Sequence, residues 1–359
     1  MQLRTLKVVR PFALSIDQLQ ALSAIPNLHS LQLTLENVPK GSTKPIPGFP
    51  QLRDLALSGS LQDITAFVAI TSPPALGSLT ISSELACHAD SAIKAVEDFI
   101  KSAPALLPAS TRRLRLSMTC TCASNSTVHF QNPGMLFEPL RALAGLQALE
   151  FTFTMKFHLP DSTLSALRDA WPELRVFRVA SVKKPSKRRG AGEYGYEDNY
   201  IPEHEFVYRP EWAVPRARRH SNGTVVGFDE PPETPELRTD DPPTLATITA
   251  FAHAHPHLEG LEVPFLDLDN LPASNTVPVP EHALREFRVS QLPAGRPLFD
   301  CALALDALFP HLDLGDARLA VAKGEEDRMD ELLLILLGLR MGRLRAHLPR
   351  ATNNVLLPA

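Results

Sequence analysis

Long apolar runs are missing from this 359-residue chain. The longest, Leu332 to Leu337, falls far short of the roughly 20 residues that span a bilayer. The opening MQLRTLKVVRPF holds no apolar stretch of signal-peptide length. Cysteine is scarce: Cys87, Cys120, Cys122 and Cys301 are too few in a chain of this length to make a disulfide framework. These absences point to a cytoplasmic or nuclear protein with reduced thiols and no membrane contact. Charge of one sign is lacking too, since a formal net charge of -4 gives no bulk attraction to nucleic acid. Aromatic residues are only 6% of the chain. No Gly-x-Ser-x-Gly elbow, phosphate-cradling Gly-rich loop or His-Glu-x-x-His helix occurs. The chain is therefore expected to be non-enzymatic, without a cofactor or metal.

Proline, by contrast, is abundant, with 33 residues. Many apolar segments must stop abruptly, which suits short repeated units better than a few long elements. A short phrase recurs, an apolar residue or His followed by Pro, any residue and Leu. It stands at Ile25–Leu28, Phe49–Leu52, Trp171–Leu174, His255–Leu258 and Phe309–Leu312, with Pro74-Ala75-Leu76 as a variant.

After most copies the chain continues with the spacing Leu-x-x-Leu-x-Leu. Examples are Leu28, Leu31, Leu33; Leu52, Leu55, Leu57; Leu76, Leu79, Ile81; Leu146, Leu149, Phe151; and Leu174, Phe177, Val179. Leu258, Leu261, Val263 and Leu284, Phe287, Val289 follow later, Leu3, Leu6, Val8 comes first, and Thr111, Leu114, Leu116 is degenerate. Starting residues 3, 28, 52, 76, 111, 146 and 174 lie 25, 24, 24, 35, 35 and 28 apart. Those at 258, 284 and 312 lie 26 and 28 apart. Most intervals match the roughly 20–29 residues of a leucine-rich repeat.

In each copy the last two apolar residues are two apart and project to one face of a strand. The upstream Pro marks where a preceding helix has ended. Between strands the apolar period becomes helical: Ser15 precedes Ile16, Leu19 and Leu22, with Gln18 placed for a capping box. Ser60 precedes Leu61, Ile64, Phe67 and Val68; Asp90 or Ser91 precedes Ile93, Val96, Phe99 and Ile100. Asp161 precedes Leu164 and Leu167, and Thr244 precedes Leu245, Ile248 and Phe251. A strand–loop–helix unit cannot bury its apolar face alone, but stacked copies can. The expected fold is α/β, an irregular leucine-rich-repeat solenoid with a curved parallel sheet on the concave face and helices on the convex face. The usual Asn three residues after the strand is absent, the positions holding Pro11, Glu36, Ser60, Glu84, Thr154, Val182, Leu266 and Leu292. No Asn ladder can form, so loops and curvature should vary.

Repeats occupy 1–181 and 244–359, the second part ending in a closing helix, and a charged, Pro-rich insert at 182–243 separates them. The insert carries Lys183-Lys184-Pro185-Ser186-Lys187-Arg188-Arg189, which matches a nuclear-import pattern, and a second basic cluster at Arg216, Arg218 and Arg219. It has few aliphatic residues and no sustained period, as a long or disordered excursion would. Its aromatic stretch Tyr194, Tyr196, Tyr200, Phe206, Tyr208, Trp212 either docks on the solenoid or binds a partner.

Metal chemistry finds little support. Cys120-Thr121-Cys122, with His129 nearby, lacks the second pair that a zinc site needs. His253, His255 and His257 alternate at a helix-to-strand junction and read as surface histidines. Asp267, Asp269 and Asn270 resemble a calcium loop without its Gly and terminal Glu. The sequons at Asn125 and Asn222 have no secretory signal to accompany them.

Strand geometry supplies the candidate partner-binding surface. Residues flanking the buried pairs point to the concave face: Lys7, Gln32, Asp54, Thr80, Arg113, Arg115, Glu150, Arg178, Glu262, Glu286 and Arg288. The central stretch is basic, as an acidic or phosphorylated protein partner would require.

The Phe/Trp/Ile-Pro-x-Leu lead-ins, LREFRVSQ at Leu284–Gln291, LFPHL at Leu308–Leu312 and EEDRMDELLLILLGLR at Glu325–Arg340 carry a family resemblance. The chain resembles the leucine-rich-repeat region of fungal F-box proteins. That resemblance implies a substrate-recognition part of a ubiquitin ligase adaptor, the repeats holding the substrate. Adaptor and cullin binding would need an F-box upstream, which is not visible; the chain starts inside a repeat strand with no capping unit over it. The alternatives are a nuclear scaffold that uses the basic insert, or an enzyme with a site in the insert or at the Cys and His positions.

Overall fold

The computed structural model describes residues 3–13, 15–39, 46, 48–85, 89–120, 134–154, 157–181, 241–268, 271, 282–292, 298–315 and 328–347. The chain divides into a unit made of Met1–Lys183 with Asp240–Ala359, and a second, Lys184–Thr239. The second lies outside the described residues, and with it both basic clusters beyond Lys183 and the aromatic stretch. Also outside are Cys87, Thr121, Cys122, the sequon at Asn125, His129, Asp269 and Asn270.

The first unit is α/β. Among the described residues it has nine strands: β1 (Thr5–Ala13), β2 (Ser30–Glu36), β3 (Asp54–Ser58), β4 (Ser78–Leu85), β5 (Arg113–Cys120), β6 (Ala148–Phe153), β7 (Val176–Ser181), β8 (Gly260–Phe265) and β9 (Glu286–Gln291). They form one parallel sheet in chain order, not closed into a barrel. β7 pairs directly with β8, Val176 opposite Gly260, although residues 182–259 separate them in sequence.

Register follows the Leu spacing. One buried row runs Leu31, Leu55, Leu79, Leu114, Leu149, Phe177, Leu261, Phe287; the next runs Leu33, Leu57, Ile81, Leu116, Phe151, Val179 on β2 to β7, and Val263 pairs with Val289 on β8 and β9. None of these side chains is more than 5% exposed. Each removes enough apolar surface from water to contribute about 1.5–3 kcal/mol.

The helices that pack on this face are α1 (Ile16–Ser23), α2 (Leu61–Thr71), α3 (Ala89–Leu106), α4 (Gly134–Phe137), α5 (Asp161–Ala166), α6 (Leu245–Ala254), α7 (Leu298–Leu308) and α8 (Arg328–His347). Ser15 and Gln18 form the expected capping box, each side chain bonded to the other's backbone N–H. Ser60 and Thr244 cap α2 and α6 by accepting from Asp63 and Thr247 N–H. Asp161 does more than start α5: its Oδ1 accepts from Thr244 N–H at 2.9 Å, and its own N–H donates to Asp241 O.

In place of an Asn ladder, a backbone ladder runs along the strand entries. Arg4 O accepts from the N–H groups of both His29 and Ser30, and His29 O accepts from Arg53 and Asp54. The pattern repeats at Arg53, Gly77, Arg112, Gln147, Arg175 and Glu259, with all these bonds at 2.7–3.1 Å. Such linked amides need no particular side chain, which is why the entries tolerate His, Arg, Gly, Gln and Glu. Gly59 is a different case: at φ 139° it passes so close to β2 that a Cβ would lie 2.5 Å from Leu35 O.

The lead-in residue is a core residue. Phe49, Trp171, His255 and Phe309 are each at most 1% exposed, and Trp171 donates its indole N–H to Leu140 O at 3.1 Å. This corrects the surface reading of the three histidines. His253 and His257 are exposed, but His255 takes the slot held elsewhere by an aromatic ring. Its Nδ1 sits 2.8 Å from Phe251 O and its ring lies 4.3 Å from that of Phe251. Burial pushes its pKa down, against the pull of the Phe251 carbonyl and Asp169. Nε2 is buried and has no hydrogen-bond partner among the described residues.

The last repeat copy does not become a strand among the described residues. Asp313 N–H joins the ladder at Arg285 O, and α8 then closes the array. The buried Asp306 on α7 holds Arg340 at 3.3 Å and Arg343 at 2.6 Å, while Arg340 also donates to the carbonyls of Leu312 and Phe309. One α8 side chain thus serves the orphan carbonyls that follow α7. Among the described residues, no helix is long and apolar enough to cross a membrane.

Candidate partner-binding face

Alternation sends every second strand residue away from the helices, and the parallel register lines these up in rows. The central row reads Lys7, Gln32, Ala56, Thr80, Arg115, Glu150, Arg178, Glu262, Arg288. Beside it runs Thr5, Ser30, Asp54, Ser78, Arg113, Ala148, Val176, Gly260, Glu286. All eleven residues read from the sequence as partner-facing fall in these two rows. The face they form is open, since every charged member is exposed or half-buried.

The two ends of the rows carry different chemistry. On β1 to β4 the residues are small and mostly hydroxylic, with Lys7 and Asp54 the charged members of the two rows. From β5 onward Arg and Glu alternate from strand to strand and link together. Arg115 Nε lies 3.9 Å and Arg178 Nη1 3.5 Å from the same Glu150 oxygen. Arg178 also pairs with Glu286, and Arg288 Nε lies 3.1 Å from the other Glu286 oxygen. Glu262 sits between Arg178 and Arg288 and accepts from Ser290 Oγ at 3.4 Å. Burial raises the Glu262 pKa, and the two arginines offset only part of that cost.

Gly260 lies beside the bridge from Arg178 on β7 to Glu286 on β9. A Cβ there would stand 3.7 Å from Arg178 Nη2 and 3.8 Å from Glu286 Oε2, so any side chain beyond a methyl would occupy the bridge. Sequence pattern gave no sign of this placement, because only the strand register sets Gly260 between Arg178 and Glu286.

The basic central stretch expected from the sequence is thereby sharpened. Arg115, Arg178 and Arg288 are matched one for one by Glu150, Glu262 and Glu286. The excess positive charge is Arg113, exposed and without an ion-pair partner among the described residues. It stands on β5 beside Ser78, two residues from Arg115, which is 59% exposed. The hydroxyls of Ser78, Thr80, Ser82 and Ser117 adjoin this corner.

Away from this face, a groove of about 560 Å³ between α7 and α8 is lined by Phe299, Ile335, Gly338, Leu339, Gly342 and Arg343. Its one titratable group, Arg343, is held by Asp306. Cys301 is buried and its thiol is pushed up to about 12 by burial, so it is no nucleophile at neutral pH. Among the described residues, no three His, Cys, Asp or Glu side chains gather as metal ligands.

No family model matches the chain. Comparisons with curated proteins and with solved structures return no match either.

Proposed function

We propose that the chain is a non-enzymatic protein-interaction module of leucine-rich-repeat type, in which the open sheet face holds the partner. The observation that carries this reading is the β5 corner. There, Arg113 has no ion-pair partner among the described residues and stands with the hydroxyls of Ser78, Thr80, Ser82 and Ser117 beside a network that neutralises itself. An acidic or phosphorylated segment would supply the missing charge, since arginine recognises carboxylate and phosphate through parallel hydrogen bonds.

The repeat spacing, the lead-in phrase and the closing helix are the features shared with fungal F-box repeat proteins. They support a substrate-recognition role in a ubiquitin ligase adaptor, acting in cytoplasm or nucleus. The residues for a nuclear-scaffold reading and most of those for an enzymatic one lie outside the described residues, so neither draws support from this geometry.

A photo-reactive residue introduced at Thr80 on the face, and another at Lys101 on α3, tests the proposal. Crosslinks to protein from position 80 that are absent from position 101 are the expected result. Crosslinks from 101 alone would move the interface to the helices and overturn it.

A further inference from the structure

One lead-in slot can titrate. At Phe49, Trp171 and Phe309 the buried ring ahead of the strand takes up no proton, whereas the imidazole of His255 can. Its Nδ1 faces Phe251 O, which only accepts, so Nδ1 carries the hydrogen of the neutral ring and Nε2 is bare. Nε2 is buried with no hydrogen-bond partner among the described residues. A second proton there would be a buried charge with nothing to bond.

A second buried histidine ties the same place to the next strand. His282 Nε2 lies 2.7 Å from Ala252 O and 3.3 Å from His255 O, so it donates to the carbonyls that end α6. Its Nδ1 accepts from Leu284 N–H at 3.0 Å, and a proton on Nδ1 would set two donors face to face. Phe309, just past α7, packs edge-on against this ring at 6.1 Å. The two histidines thus join α6 and the β8 lead-in to β9 and α7. Two titratable groups act on the His255 ring: Asp169, just beyond α5, favours its proton and His282 opposes it. Burial is the largest influence and disfavours the proton, while His253 and His257 on the same segment are exposed.

We propose that this joint is an acid-sensitive latch with His255 as its trigger. On acidification it opens locally, parting β9, α7 and α8 from β8 while β1 to β8 stay paired. A histidine held neutral in the closed form and free to protonate in the open one is the general basis of such a switch. In a stacked array each unit touches only its neighbours, so an opening at one joint does not spread through the rest. The change would reach the open face, because β9 supplies Glu286 and Arg288 and its departure takes from Arg178 one of its two partners. The latch stands whether or not that face binds a protein.

Amide hydrogen exchange of the full chain at pH 7.5 and 5.5, expressed as protection relative to the unfolded chain at the same pH, tests this. The N–H groups of Leu284, Arg285 and Glu286 report the joint, and those of Arg53, Asp54, Gly77 and Ser78 report the early ladder. An imidazole that titrates near 6.5 once open is almost wholly protonated at pH 5.5 and hardly at all at pH 7.5. The joint should therefore lose about tenfold in protection on acidification. The early ladder should keep its protection. His255→Phe, with the ring that fills the slot at Phe49 and Phe309, should abolish the loss and leave protection at pH 7.5 intact. An equal loss at both places, or none at the joint, overturns the proposal, and that comparison is made on the wild-type chain alone. A loss at the joint that His255→Phe leaves unchanged overturns it too.

Discussion

Strands β1 to β4 and strands β5 to β9 share one continuous register, yet they differ on both faces. Beneath the first group the sheet rows are aliphatic, and on top lie hydroxyls among Lys7, Gln32, Asp54 and Ala56. Beneath the second are Phe151, Phe177 and Phe287, with Phe137, Trp171 and Phe251 packed around them, and on top lies the Arg–Glu chain. The backbone ladder along the strand entries is the same in both halves. Folding of the array therefore rests on the buried rows and the ladder, and the open face is free to carry different chemistry at each end.

Substitutions can break or sharpen this comparison. The largest expected effect is in the aromatic core. Phe177→Ala removes a ring fully buried among Phe137, Trp171 and Phe251 and should cost about 3–5 kcal/mol in chemical denaturation. Leu55→Ala, its register equivalent on β3, should cost about 2–5 kcal/mol and lie lower in the same assay. A reversed order would mean that the aromatic half is the more loosely packed.

Next comes the open face. Arg178→Ala leaves Glu150 and Glu286 without their shared partner, and at this half-buried site should cost about 1–2 kcal/mol. The cost should shrink as sodium chloride is raised. Gln32→Ala, in the same row of the hydroxylic half, should stay within about 0.5 kcal/mol. Equal costs would show that the ion-pair chain adds nothing.

His255 supplies a pH-dependent contrast. Its folded pKa lies below the ordinary 6.5, so between the two values the unfolded chain binds the proton more readily. Stability is then complete above about pH 6.5 and falls as pH drops below it. His255→Phe, which fills the slot as Phe49 and Phe309 do, should flatten this dependence when denaturation midpoints at pH 7.5 and 5.5 are compared. An unchanged slope would assign the acid sensitivity elsewhere.

The smallest effect is expected at Glu262. Its carboxyl is raised by burial, so the stability it lends is present at low pH and lost as pH rises through its folded pKa. Glu262→Gln should therefore be neutral or slightly stabilising at pH 7, unlike Arg178→Ala. A clear loss would mean that its arginine contacts outweigh its burial.

Much of this was legible beforehand, because the features concerned are periodic. Leu spacing marked the strands, their order and the face of each side chain, and Ser15, Ser60 and Thr244 marked the helix starts. Three features were not legible. The carbonyl ladder uses only backbone atoms and leaves no residue signature. His255 reads as a surface residue beside the exposed His253 and His257, and its place before Pro256 is the clue to its burial. The neutralisation of Arg178 depends on Glu286, 108 residues along the chain, and on the space at Gly260. Only the register brings those three together.

The central claim is that the open face, at its β5 corner, holds an anionic protein partner. The direct measurement is quantitative affinity capture with the full chain, comparing wild type, Arg113→Glu with Arg115→Glu, and Lys101→Glu as a charge control on α3. Proteins enriched by wild type should fall by about tenfold or more with the β5 variant and persist with the control. Enrichment that survives the β5 change, or is lost equally in the control, would contradict the account.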